Sequence, residues 1–159
     1  MRAPKAFQRE IMSQTLKPVI PLAIPDEDVR PVTLNPQGWP VPRGYANGMS
    51  AKGRLVVTGG VVGWDIMGNF PEAFVDQARQ CFENIRAILA EGGAEPHHVV
   101  RLTWYVTDVE EYQANLKGLG RAYRDVFGQH YPAMAVVQVV RLVEKAAKIE
   151  IEATAVVAE

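Results

Sequence analysis

The stretch NFPEAFVDQARQCFENIRAILAEGG, residues 69–93, carries Phe74, Ala78, Cys81, Ile85 and Leu89 at steps of four, three, four and four. That spacing stacks the five side chains on one face of an α-helix. Asn69 suits an N-cap, Pro71 and Glu72 suit a first helical turn, and Gly92-Gly93 suits a stop. A helix with one apolar stripe must lay that stripe on something else, so it predicts a layered domain. Cys81 lies mid-stripe and reads as a small core residue, because nothing nearby in sequence favours its thiolate.

Working outward, Val99 to Val106 alternates bulky and β-branched residues and predicts a strand. Asp108 then caps a second helix, with Glu111 completing a capping-box pattern. Tyr112, Leu116, Leu119, Tyr123 and Val126 form its stripe, Gly128 ends it, and the Gly118-x-Gly120 pair inside it reads as a packing site. Two β-branched runs follow, Ala133 to Leu142 and Lys148 to Val157, joined by a loop at Glu144-Lys145. Upstream, Val32-Thr33-Leu34 predicts a short edge strand. Tyr45 to Met49 and Leu55 to Gly59 predict a hairpin with its turn at Lys52-Gly53. Residues 1–29 hold Pro4, Pro18, Pro21 and Pro25 and the acidic run Asp26-Glu27-Asp28, with neither period. They read as a partly ordered N-terminal arm, or as cover for a subunit interface, ahead of a domain over residues 30–159.

The predicted order is therefore β-β-β-α-β-α-β-β. Two amphipathic helices cannot enclose both faces of a mixed sheet of about six strands, so an α+β fold with both helices on one face is expected. Apolar residues on both faces of the Ala133–Leu142 run then require the second face to be covered as well. An oligomer is expected.

Composition removes several functions. The formal net charge is -1, with Lys and Arg totalling 17 against 18 Asp and Glu. No nucleic-acid or membrane partner is expected of such a chain, since both surfaces attract basic proteins. One cysteine supports neither a disulfide framework nor a zinc site. His97-His98 are adjacent on an extended chain and point apart, so a shared metal is not expected. There is no phosphate loop, Ser/His/Asp signature or nucleotide fingerprint, so no metal and no cofactor is expected. The N-terminus lacks the apolar stretch of a secretory signal, and the expected location is the cytoplasm.

Six stretches resemble, in order and spacing, the markers of the reactive-intermediate deaminase (RidA/YjgF) family, also known as L-PSP endoribonucleases. They are Leu55-Val56-Val57-Thr58-Gly59-Gly60, where that family often has Ser-Gly-Gln; Gln77 through Asn84-Ile85; Gly92-Gly93-Ala94; Val106-Thr107-Asp108 with Asn115; Tyr131-Pro132-Ala133; and Lys148-Ile149-Glu150-Ile151-Glu152-Ala153. The resemblance implies a chorismate-mutase-like fold assembled as a homotrimer, helices outside and sheets facing the threefold core. It also implies a small-molecule ligand in a cleft between subunits.

Deaminases of that family hydrolyse enamines and imines to 2-oxo acids and ammonia. Carried over residue by residue, the resemblance makes Glu150 the glutamate that places or activates water and Tyr45 the tyrosine lining the cleft. Thr58 and Gly59 take the pocket-lining Ser-Gly, and Asn115 the asparagine of the second helix. The family's carboxylate-gripping arginine falls on Met134, which can make neither of its charge-assisted bonds. Arg43, two residues before Tyr45, either replaces that anchor or is a solvated surface arginine. Glu150 is either catalytic or a hydrogen-bonded interface glutamate, and Tyr45 is either a hydroxyl donor or an interface aromatic. Trp39 and Trp64, in glycine- and proline-rich loops, either wall a pocket or anchor their loops. The expected activity is a hydrolase of small imines, enamines or related labile metabolites. The alternatives are a non-catalytic binding or chaperone-like trimer and, against the near-neutral charge, a ribonuclease or translation inhibitor.

Overall fold

The computed structural model describes residues 30–159, so the arm expected over residues 1–29 lies outside the described residues. Helix α1, Phe74–Glu91, buries the whole predicted stripe. It packs on a mixed sheet built around two long strands, β5 (Val99–Val106) and β7 (Ile149–Val157), which run antiparallel. Strand β6 (Ala133–Gln138) joins β5 in parallel. A parallel partner requires a long return. Helices α2 (Val109–Ala114) and α3 (Leu116–Phe127) supply it.

Along β7 the side chains alternate. Ile149, Ile151, Ala153 and Ala155 are buried toward the helices, and Glu150, Glu152 and Thr154 project from the other face. The expected placing of the helices on one face therefore matches. Phe82 of α1 sits at the middle of the core, its ring 5.3 Å from that of Trp104, 5.5 Å from Tyr123 and 5.8 Å from Phe127. These tilted and edge-on contacts are the arrangements aromatic quadrupoles favour.

Several expectations need correction. Among the described residues the sheet has five strands, not about six, in the order β3-β7-β5-β6, with β3 at Arg54–Val57 and a two-residue β4, Val61–Val62, also on β7. The expected hairpin does not form. Strand β2, Gly48–Ser50, pairs instead with β1, Val32–Leu34, in a separate ribbon, and β3 pairs with β7, setting Leu55 opposite Val156 and Val56 opposite Ala155. The Lys52-Gly53 turn chemistry was a local signal only. The nine-residue β7 offers β3 an apolar partner that Gly48 and Met49 cannot match.

Asn69 is not the N-cap of α1, which starts after Ala73 without a side-chain cap. The Asp65 carboxylate takes Asn69 instead, accepting from its backbone N–H at 2.9 Å and from that of Met67 at 2.8 Å. That carboxyl is held below its ordinary range, chiefly by the Asn69 N–H. The second helix is broken at Asn115 into α2 and α3. Asp108 does cap it, accepting from the N–H groups of Glu110 and Glu111, but the Glu111 carboxylate turns away to Lys148 Nζ at 2.8 Å. The observed order is thus β-β-β-β-α-β-α-α-β-β. The predicted Ala133–Leu142 strand stops at Gln138, whose side chain accepts from Val109 N–H at the start of α2.

Cys81 is fully buried with its sulfur 3.4 Å from the Val61 carbonyl. Burial pushes its thiol far above the ordinary range, and the Glu150 charge adds to the shift. The native protein is therefore expected to resist an aromatic disulfide reagent at pH 8 and to react with one equivalent only once unfolded. Rapid stoichiometric labelling of the folded protein would contradict this placement.

Candidate active site

A cavity of about 530 Å³ opens between the loop before β2, helices α2 and α3, and the outer strand β6. Three of the candidate site residues named from the sequence line it: Arg43, Tyr45 and Met134. Tyr45 is placed by its neighbour Ala46, which is buried, donates its N–H to the Pro132 carbonyl at 2.9 Å and pairs with Ala133. Met134 stands in register with Leu102, and residues in register share a face, so both project to the helix side. Trp104, Tyr112, Tyr123 and Tyr131 complete an aromatic wall. Tyr123 is fixed by donating its hydroxyl to the His130 carbonyl at 2.6 Å. Burial raises the pKa of both Tyr112 and Tyr123, so they face the cavity as neutral phenols.

Glu150 lies elsewhere. It is in register with Tyr105 on the face of the sheet away from the helices. Its setting is made by a bulge between β3 and β4, where Thr58, Gly59 and Gly60 oppose only Glu152 and Ala153 of β7. The Thr58 hydroxyl stands in for a missing ladder group, accepting from the Ala153 N–H at 3.0 Å and donating to the Gly59 carbonyl at 2.8 Å. Gly59 has open space where a side chain would be, whereas a Cβ on Gly60 would collide with Glu150 Oε1. The carboxylate therefore occupies the room that glycine leaves, in the position where the resembled family often carries glutamine. Among the described residues Glu150 has no salt bridge and no hydrogen bond from another side chain; its neighbour Glu152 accepts from the Tyr105 hydroxyl at 3.0 Å.

Within one chain the sequence-predicted residues thus form two groups on opposite faces of the sheet. Arg43, Tyr45 and Met134 line the cavity, and Glu150, Thr58 and Gly59 cluster at the bulge. Asn115 joins neither. It sits at the break between α2 and α3, donating its amide to the Glu111 carbonyl at 2.8 Å while its own carbonyl accepts from Leu119 N–H at 2.9 Å. Trp39 and Trp64 do not line the cavity, and Trp64 packs near Phe70.

Sequence reasoning missed Trp104 and Arg124 as cavity residues. Trp104 was legible only as a strand residue. Arg124 lies one position after Tyr123, and the Gly118-x-Gly120 pair carried the clue. Gly118 packs against Val75 of α1, as a packing site should, but Gly120 lies against the Arg124 guanidinium, with Nη1 only 3.3 Å from where its Cβ would be. Gln77 and Asn84 are positioning residues. Asn84 donates to the carbonyls of Val62 and Trp64. Gly63 lets α1 approach so closely that a Cβ there would strike the Gln77 backbone.

Comparison with known proteins identifies the family and the fold. The sequence pattern of the family described as Endoribonuclease L-PSP matches residues 40–157. The 2-iminobutanoate/2-iminopropanoate deaminase of Escherichia coli K12 is 30% identical over 115 residues, spanning 70% of this chain and 86% of that protein. The Rid-family protein YyfB of Yersinia pestis superposes with a TM-score of 0.71 at 29% identity, over 81% of this chain and 100% of that one. The E. coli TdcF structure with bound serine superposes with a TM-score of 0.59 at 30% identity, over 80% of this chain and 99% of that one. With the marker stretches, the α+β sheet and these matches all in accord, the chain belongs to the L-PSP, or RidA/YjgF, family.

Proposed function

We propose that this protein hydrolyses small enamines or imines, releasing ammonia, in a homotrimer whose sites are completed between protomers. The observation that carries this reading is the Glu150 carboxylate, seated over Gly60 without a salt-bridge partner among the described residues. A carboxylate on an apolar strand is costly unless a partner or a ligand uses it. The cavity with Tyr45 and Met134 and the bulge with Glu150 lie on opposite faces of one sheet, so a neighbouring copy is the means of bringing the two groups together. The exposed apolar side chains Leu55 and Val57 on the Glu150 face, 62% and 58% exposed in the single chain, support a covered face.

In the proposed reaction Glu150 holds a water and takes one of its protons as the oxygen adds to the iminium carbon. The carboxyl then protonates the nitrogen of the carbinolamine, the C–N bond breaks to release ammonia, and the hydroxyl proton passes to that ammonia as the carbonyl forms. The products are a 2-oxo compound and ammonium. The deaminase name of the E. coli relative and the serine bound to TdcF support a small amino-acid-derived substrate. Met134 forfeits two guanidinium bonds worth about 1.5–3 kcal/mol each, enough to weaken grip on a carboxylate at that point about 10- to 100-fold per bond. The thioether moves preference toward a more apolar substrate.

The direct test is ammonia release from freshly generated imino acids; no release above the uncatalysed rate from any imine tried would remove the reading. Gly60→Ala gives a sharper one. The added methyl meets the end of a flexible side chain, so the fold should tolerate it while the carboxylate shifts. Turnover is expected to fall about 100-fold, the cost of a displacement near 1 Å at a reacting group. Unchanged turnover with unchanged melting temperature would separate Glu150 from the chemistry.

A further inference from the structure

We propose that the cavity between α3 and β6 takes an aromatic or bulky apolar carboxylate, and that Arg124 grips its anionic end. This rests on the reading of the cavity as part of the substrate site and names what that site accepts. Among the described residues two arginines, Arg43 and Arg124, line the cavity, and no aspartate or glutamate does. Neither arginine is in a salt bridge among the described residues. The charge of the lining is therefore positive and uncompensated, which selects an anion. A guanidinium suits a carboxylate in particular, because its fork matches the two oxygens.

Arg124 is better placed than Arg43 to be the anchor. It projects from the twelve-residue helix α3, and Gly120, itself a cavity residue, leaves room for its guanidinium along the helix. Arg43 is on an exposed loop. Groups mounted on regular elements hold geometry more closely than groups on loops. The family position for a guanidinium, now Met134, and Arg124 border the same cavity from opposite walls, one on β6 and one on α3. The positive charge has changed wall, and the ligand's orientation changes with it.

The remainder of the cavity sets the body of the ligand. Trp104, Tyr112 and Tyr131 beside Met134 give it a predominantly aromatic wall. Aromatic walls and a thioether are good partners for a flat ring. Trp104 adds a second, independent sign of a ligand. It is 4% exposed, and its indole N–H has no acceptor among the described residues. Buried donors are nearly always paired, and an oxygen of a bound 2-oxo acid would supply the acceptor.

The experiment is calorimetric titration of the full-length protein with phenylpyruvate, pyruvate and the uncharged phenylacetone. Wild type should bind phenylpyruvate more tightly than either of the others. Arg124→Ala should weaken phenylpyruvate about 10- to 100-fold and leave phenylacetone unchanged. Arg121→Ala, which removes an exposed arginine of the same helix that does not line the cavity, should bind as wild type. Equal affinity of wild type for pyruvate and phenylpyruvate overturns the choice of ligand. An unaltered dissociation constant in Arg124→Ala, or an equal loss for phenylacetone, overturns the anchor. Ammonia release by wild type together with unaltered binding in Arg124→Ala would sink the anchor alone. Expected binding without ammonia release from any imine would sink the hydrolase reading alone.

Discussion

Glu150→Gln is expected to lower ammonia release by about 10²- to 10⁴-fold, the usual contribution of a placed acid–base group. The substitution keeps the length and packing of the side chain over Gly60 and removes only its capacity to take and return a proton. Affinity for a 2-oxo product should therefore stay within about threefold, since no product contact is lost. A deaminase would lose kcat with little change in KM. A protein that only binds small molecules has no turnover to lose, and a glutamate serving an interface would show its loss in assembly. Full activity in the glutamine variant would end the assignment of Glu150.

Gln77→Leu is expected to cost about 2–4 kcal/mol of stability, measured by denaturant unfolding at fixed protein concentration. Gln77 is 2% exposed. Its amide nitrogen donates to the carbonyls of Pro71 and Ala146, both at 2.9 Å, and its oxygen accepts from Lys148 N–H at 2.8 Å. Leucine fills the same space and leaves all three backbone groups without their partner. Each loses the full value of a made bond, because water does not readily replace it beneath α1. Lys148 directly precedes β7, two residues before Glu150, so turnover should fall with stability. A loss below about 0.5 kcal/mol would mean that these bonds are replaced by solvent at no cost.

The helix α1 and strand β5 were legible because their signals are periodic and cooperative: five buried positions for the helix, and the alternation from Leu102 to Val106 for the strand. Pairing was not. Lys52-Gly53 carries good turn chemistry, yet which strand β3 joins depends on what β7 offers across the sheet, information that lies a hundred residues away. Asn69 failed as a cap for a different, local reason, since Asp65 four residues earlier competed for it. Among site residues, Tyr45 and Met134 came together because both flank the start of β6, a link the resemblance carried. Arg124 was invisible because helical periodicity marks which residues are buried and says nothing of where an exposed guanidinium folds.

The split of the site across two faces of one sheet is the centre of this account, and mixed assembly tests it. One chain carries Glu150→Gln and the other carries Tyr45→Ala with Met134→Glu, which damages the cavity; each alone should be nearly inactive. Unfolded together at equal amounts and refolded, they should regain activity equal to about a quarter of the wild-type sites, the statistical share pairing an intact cavity with an intact glutamate from its neighbour. Hybrid trimers that form and remain as inactive as their parents would contradict a site shared between protomers.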